Sequence, residues 1–78
     1  MSNYKVQSVL LSKKHFTKAK AIEWILEHGY QNKKIDISMN YYRFRQLDPN
    51  YVERQGYKKM RMKVLVPDQI ELVIAYKD

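Results

Sequence analysis

The spacing of hydrophobic and polar positions changes several times along the chain, and each change predicts an element. Residues 4–11, Tyr-Lys-Val-Gln-Ser-Val-Leu-Leu, have the β-branched and apolar content of a strand, although their alternation is poor. Ser12, Lys13, Lys14 and His15 are a polar connection. A helical period follows over residues 17–28. Ala19, Ala21, Ile22, Ile25 and Leu26 include its apolar stripe, while Lys18, Lys20, Glu23 and Glu27 lie on wetter sides. Thr17 suits the N-cap, because its hydroxyl can accept from a free first-turn N–H. Phe16 before it can staple onto Ala21. Gly29 suits the stop, with Tyr30 packing back on the last turn.

Alternation takes over afterwards. Ile35 and Ile37 bracket Asp36 as a short strand, for which a loop fits almost as well. Tyr41 to Gln46, Tyr-Tyr-Arg-Phe-Arg-Gln, sends Tyr42 and Phe44 to one face and Tyr41, Arg43 and Arg45 to the other. Asp48 and Pro49 fit the N-cap and first position of a short helical turn over residues 49–55, anchored by Tyr51 and Val52 and stopped at Gly56. Residues 57–66 and 70–76 read as a hairpin. Met60, Met62, Val64 and Val66 share one face, and Lys59, Arg61, Lys63 and Leu65 the other. A loop over Pro67, Asp68 and Gln69 pairs Val66 with Ile70, Val64 with Leu72 and Met62 with Ile74. That register is expected because a one-residue slip would turn every side chain to the opposite face. A bulge or left-handed residue is expected at Asp68 or Gln69.

These elements predict an α+β domain of two layers. A mostly antiparallel sheet has one long helix (about 17–28) packed on one face, with the short turn (about 49–55) between strands. The expected core is Ile22, Ile25, Leu26, Tyr42, Phe44, Met60, Met62, Val64, Leu72 and Ile74. The uncovered face of the sheet would then carry Arg43, Arg45, Lys59, Arg61 and Lys63 together.

Composition narrows the class. The chain has 78 residues, the size of a single domain (1–78). An apolar fraction of 45% argues against global disorder. With no cysteine, thiol catalysis and thiolate metal sites are excluded, and a reducing compartment fits. No apolar run approaches a membrane span or a secretory leader, so an intracellular protein is expected, with no membrane partner. The start, Met-Ser-Asn-Tyr-Lys, is polar and short.

Charge changes the picture most. Fifteen Lys and Arg against eight Asp and Glu give a formal charge of +7. Such a balance serves solubility, or it marks a polyanion partner. Five cations on one sheet face favour the second, since a solvated face with no partner more often mixes signs. Cations on alternate strand positions are ~6.6 Å apart, a spacing at which long side chains meet successive phosphates. Tyr41 beside them could stack on an unpaired base. The expected nucleic-acid-binding residues are therefore Arg43, Arg45, Lys59, Arg61, Lys63 and Tyr41. The glycine-containing aromatic signature of RNA-recognition domains is absent.

Catalytic chemistry has little to stand on. There is no glycine-rich phosphate loop and no nucleophile elbow. His15 and His28 sit at opposite ends of the helix, and the carboxylates Glu23, Glu27, Asp36, Asp48, Glu53, Asp68, Glu71 and Asp78 are scattered. No catalytic residue, metal site, cofactor or small-molecule substrate is expected.

One spacing runs through nearly the whole chain. It takes in Val6-Gln7-Ser8-Val9, Phe16, Ala21 and Trp24, then His28-Gly29-Tyr30, and Tyr42-Arg43-Phe44-Arg45-Gln46 with Pro49. It resembles a small uncharacterised module of tailed-phage proteins, found near prohead-protease and head-morphogenesis regions. Stand-alone proteins of virophages and giant viruses are similar. Tyr-Arg-Phe-Arg-Gln is the most specific part. Residues 57–66 depart from the phage copies in being longer and more basic. The resemblance implies a viral protein acting near DNA or the capsid, in the infected host cell or packaged in the virion. It implies no catalytic residue. The expected function is non-enzymatic, sequence-non-specific nucleic-acid binding, with DNA preferred over RNA. The alternative is a protein-interaction module in capsid or virion assembly, with an acidic protein surface or a second copy, as a homodimer, for partner.

Overall fold

The computed structural model describes residues 4–77, so the first three residues of the polar start and Asp78 lie outside the described residues. The elements run β1 (Tyr4–Ser12), α1 (Lys18–Glu27), β2 (Ile35–Ile37), β3 (Tyr41–Arg45), α2 (Pro49–Arg54), β4 (Lys59–Val66) and β5 (Ile70–Tyr76). The strands form one antiparallel sheet in the order β2-β3-β1-β5-β4. This is an α+β domain, as the periodicity predicts.

The expected long helix is only ten residues. Its ends are where the sequence puts them. Thr17 Oγ1 accepts from Lys20 N at 3.2 Å. At the other end Gly29 adopts φ 78°, a conformation that favours glycine. That lets Tyr30 N donate to Ile25 O and Gly29 N to Leu26 O, satisfying the last carbonyls. Ala21 and Ile25, four apart, are fully buried, and Ile22 and Trp24 pack at the margins. Leu26 lies a further ~100° round the axis from Ile25. It is therefore 55% exposed rather than in the core as expected.

α1 covers one face of the sheet, here the first face. Val9, Leu11, Phe44, Ile70 and Leu72 point at it and form the core with Ala21 and Ile25. Each such buried apolar side chain contributes ~1.5–3 kcal/mol over the exposed state. Val6, Tyr42, Val66 and Ile74 pack against this cluster. β1 reaches the core from both Val6 and Val9, three apart, because its pairing with β5 slips between Val6 and Ser8. A bulge there changes the facing parity, which explains the poor alternation of residues 4–11.

The hairpin departs from expectation at one residue. Its loop is the expected one, with Val66 opposite Ile70 and Asp68 at φ 61°. The register then shifts between Val64 and Val66. Below that bulge Val64 faces Glu71, Met62 faces Val73 and Met60 faces Ala75. The apolar side of β4 therefore lies on the second face, away from α1, and Met60, Met62 and Val64 are 50%, 52% and 55% exposed. They are not core residues. Strand order supplies the reason: α1 lies against β3, whereas β4 is the outer edge beyond β1 and β5. No helix covers β4 on the first face, so burial does not dictate its register.

α2 is capped by Asp48, whose carboxylate accepts from Asn50 N at 2.7 Å. Val52 anchors it as expected, while Tyr51 remains exposed. Pro49, Glu53 and Tyr57 share a shallow depression with Met60, which brings α2 to one end of the second face.

Candidate functional site

The six residues expected to share one binding face are divided by the β4 bulge. Tyr41, Arg43 and Arg45 lie on the second face, opposite Ser12, Leu10 and Ser8 of β1. Lys59, Arg61 and Lys63 lie on the first face, opposite Tyr76, Ile74 and Leu72 of β5. The expectation of a single five-cation face is corrected accordingly. A slip of one residue exchanges the faces of every residue in β4 below it.

The two arginines of the second face are also engaged. The β1 bulge turns Gln7 and Ser8 toward Arg43, and both are fully buried. Arg43 Nε donates to Ser8 Oγ and Arg43 Nη2 to Gln7 Oε1, each at 3.2 Å. Ser8 Oγ donates to Gln7 Oε1 at 2.7 Å, and Gln7 Nε2 donates to Leu47 O at 3.0 Å. Buried polar groups need such partners. Arg43 therefore completes an internal network that ties β3 to the bulge and to the chain leading into α2. Arg45 Nη2 meets Asp36 Oδ2 at 3.3 Å. Tyr41 lies at the far end of β3, lining a depression with Lys13, Lys14, His15, Met39 and Asp68. The second face carries Asp36 and Glu71 beside Lys5, Arg43 and Arg45, so its signs are mixed.

Cations collect instead around the start of β4. Lys58, Lys59, Tyr76 and Lys77 line one depression. The Arg61 guanidinium lies 5.3 Å from the centroid of Tyr76, and Lys77 Nζ 4.6 Å from that of Tyr57. Sequence reasoning missed Lys58, Lys77, Tyr57 and Tyr76. The run Tyr57-Lys58-Lys59 and the pair Tyr76-Lys77 could have pointed to them, because an antiparallel hairpin brings its two open ends together.

β4 thus has two unlike sides, a cationic row of Lys59, Arg61 and Lys63 and an apolar row of Met60, Met62 and Val64. Among the described residues only β5 pairs with it, which leaves its outer edge open. Among the described residues no group of His, Asp and Glu is placed to hold a metal ion, and no helix is long and apolar enough to cross a membrane.

The fold defines the class only as a small α+β domain built on a five-stranded antiparallel sheet. Comparison with protein-family models, with curated proteins and with solved structures finds no match.

Proposed function

We propose that this domain is a non-enzymatic docking module whose β4 edge and adjoining second face receive a protein partner. The observation that carries this reading is the exposed row Met60, Met62 and Val64 on an open edge strand. Long apolar edges are an aggregation hazard, and proteins that keep them exposed commonly use them to bind. Methionine suits such a surface because its side chain adapts to varied partners. The resemblance to phage head-morphogenesis modules fits docking during capsid or virion assembly, in the infected cell.

The cationic end of β4 supports a second reading, sequence-non-specific nucleic-acid binding with DNA preferred. On this reading Arg61, Lys63, Lys58 and Lys77 contact phosphates beside Tyr76, while Tyr41, Arg43 and Arg45 on the opposite face take no part. Both readings are non-enzymatic and call for no cofactor, metal or small-molecule substrate.

Purification with and without nuclease separates them. Docking predicts a partner protein retained after nuclease, and lost from the variant Met62→Asp plus Val64→Asp. Loss of the partner on nuclease treatment, or its retention by that variant, would rule the docking reading out. Nucleic-acid binding predicts instead an oligonucleotide complex weakened by Arg61→Ala plus Lys63→Ala. The removal of two phosphate contacts flattens the log–log salt slope by ~1.8 on duplex DNA. Equal affinity and slope in that variant would rule this second reading out.

A further inference from the structure

We infer that the partner of β4 is an extended strand in which acidic and apolar residues alternate, added to the sheet at its open edge. This inference rests on the docking reading and names the chemistry of what docks.

One edge is β2, only three residues long. The other is β4, eight residues with no proline, which has no neighbouring strand on its outer side among the described residues. Extended peptides commonly bind by adding to such an edge, with backbone hydrogen bonds giving affinity and alternate side chains giving specificity. The bulge beyond Val64 limits the regular part of β4 to residues 59–64. A partner strand of about six residues matches it, ~20 Å in length.

Cross-strand neighbours point to the same face of a sheet, so β4 prescribes what should lie beside it. On the first face Arg61 and Lys63 are exposed, with Lys59 beyond them and no acidic residue anywhere in β4. Opposite charges directly across a strand pair stabilise it, and like charges destabilise it. On the second face Met60, Met62 and Val64 call for apolar neighbours. The two requirements alternate residue by residue, and so must the partner. The charge of +7 further favours the approach of an acidic strand.

A second copy of this chain fits the edge poorly. Antiparallel pairing of two β4 strands about Met62 would set Arg61 against Lys63 twice. A shift by one residue would set cations against methionines instead. Nucleic acid meets the cations but offers neither backbone amides for the edge nor apolar groups for the methionine row.

The test titrates the isotope-labelled full chain with four six-residue peptides, following β4 amides by NMR and hydrogen exchange. Three alternate valine with glutamate, glutamine or lysine. The fourth has the glutamates and valines in separate blocks. The alternating glutamate peptide is expected to bind at least tenfold tighter than the glutamine one and to protect β4 amides. The lysine peptide should not bind, and the block peptide only weakly. In Arg61→Glu plus Lys63→Glu, both exposed positions, the preference should invert toward lysine. Equal binding of the glutamine or lysine peptide to the unmodified chain overturns the acidic assignment and leaves docking at β4 standing. Equal binding of the block peptide shows bare polyanion attraction and overturns strand addition. If no peptide perturbs β4, the inference and the edge-docking reading fall together.

Discussion

Arg43 and Arg45 are two positions apart on one strand, yet their surroundings assign them different work. Arg43 is the charged donor of a network whose other members, Gln7 and Ser8, are fully buried. Removing it leaves buried oxygens short of a donor, an effect that costs ~1–3 kcal/mol. Arg45 pairs with an Asp36 side chain that is 59% exposed, and such surface pairs contribute ~0–1 kcal/mol. Arg43→Ala is therefore expected to lower the urea midpoint clearly, and Arg45→Ala to leave it nearly unchanged. Equal losses in the two variants would contradict this division. The Tyr-Arg-Phe-Arg-Gln stretch thus gains a structural account. Phe44 fills the core, Arg43 secures the bulge, and the Gln46 side chain bonds Gln31 N and O at 2.8 and 2.9 Å, tying β3 to the chain after α1.

At the scale of elements, local chemistry was legible and long-range pairing was not. Thr17, Gly29, Asp48, Pro49 and Gly56 mark helix ends through interactions within a few residues, and the structure has them in those roles. The hairpin loop was legible for the same reason. The β1 bulge could have been read from Val6 and Val9, whose spacing of three suits one face only if an extra residue intervenes. The β4 bulge left no such mark. Both registers give β4 an alternating pattern, and choosing between them needs the knowledge that β1 and β5 separate it from β3, the strand against which α1 lies. Alternation alone therefore assigns Met60, Met62 and Val64 to the core, and it joins into one binding face cations that lie on two opposite faces. This predicts unequal stability effects within the sheet. Leu11→Ala, at a fully buried site, should cost ~2–5 kcal/mol, whereas Met62→Ala should stay within ~0.5 kcal/mol. Chemical denaturation of the two variants checks it, and a large loss for Met62→Ala would mean that β4 is packed against something in the free domain.

On the whole molecule, charge and apolar surface are separated by the sheet itself. The first face is covered by α1 except at β4, the second is apolar toward β4 and polar toward β3, and cations gather where β4 begins. The net charge alone does not reveal that Arg43 and Arg45 already have partners within the domain, Gln7 and Ser8 for one and Asp36 for the other. The strand order has a consequence for the size of any assembly. A sheet offering a long edge on both sides can be extended from copy to copy without end. Here one side ends in the three-residue β2 and the other in β4, whose cations oppose pairing with another β4. Growth by strand addition should therefore stop after a single step, giving a complex of one domain and one strand, which light scattering during the peptide titration would report as a closed pair. Larger or polydisperse species would show that the sheet propagates.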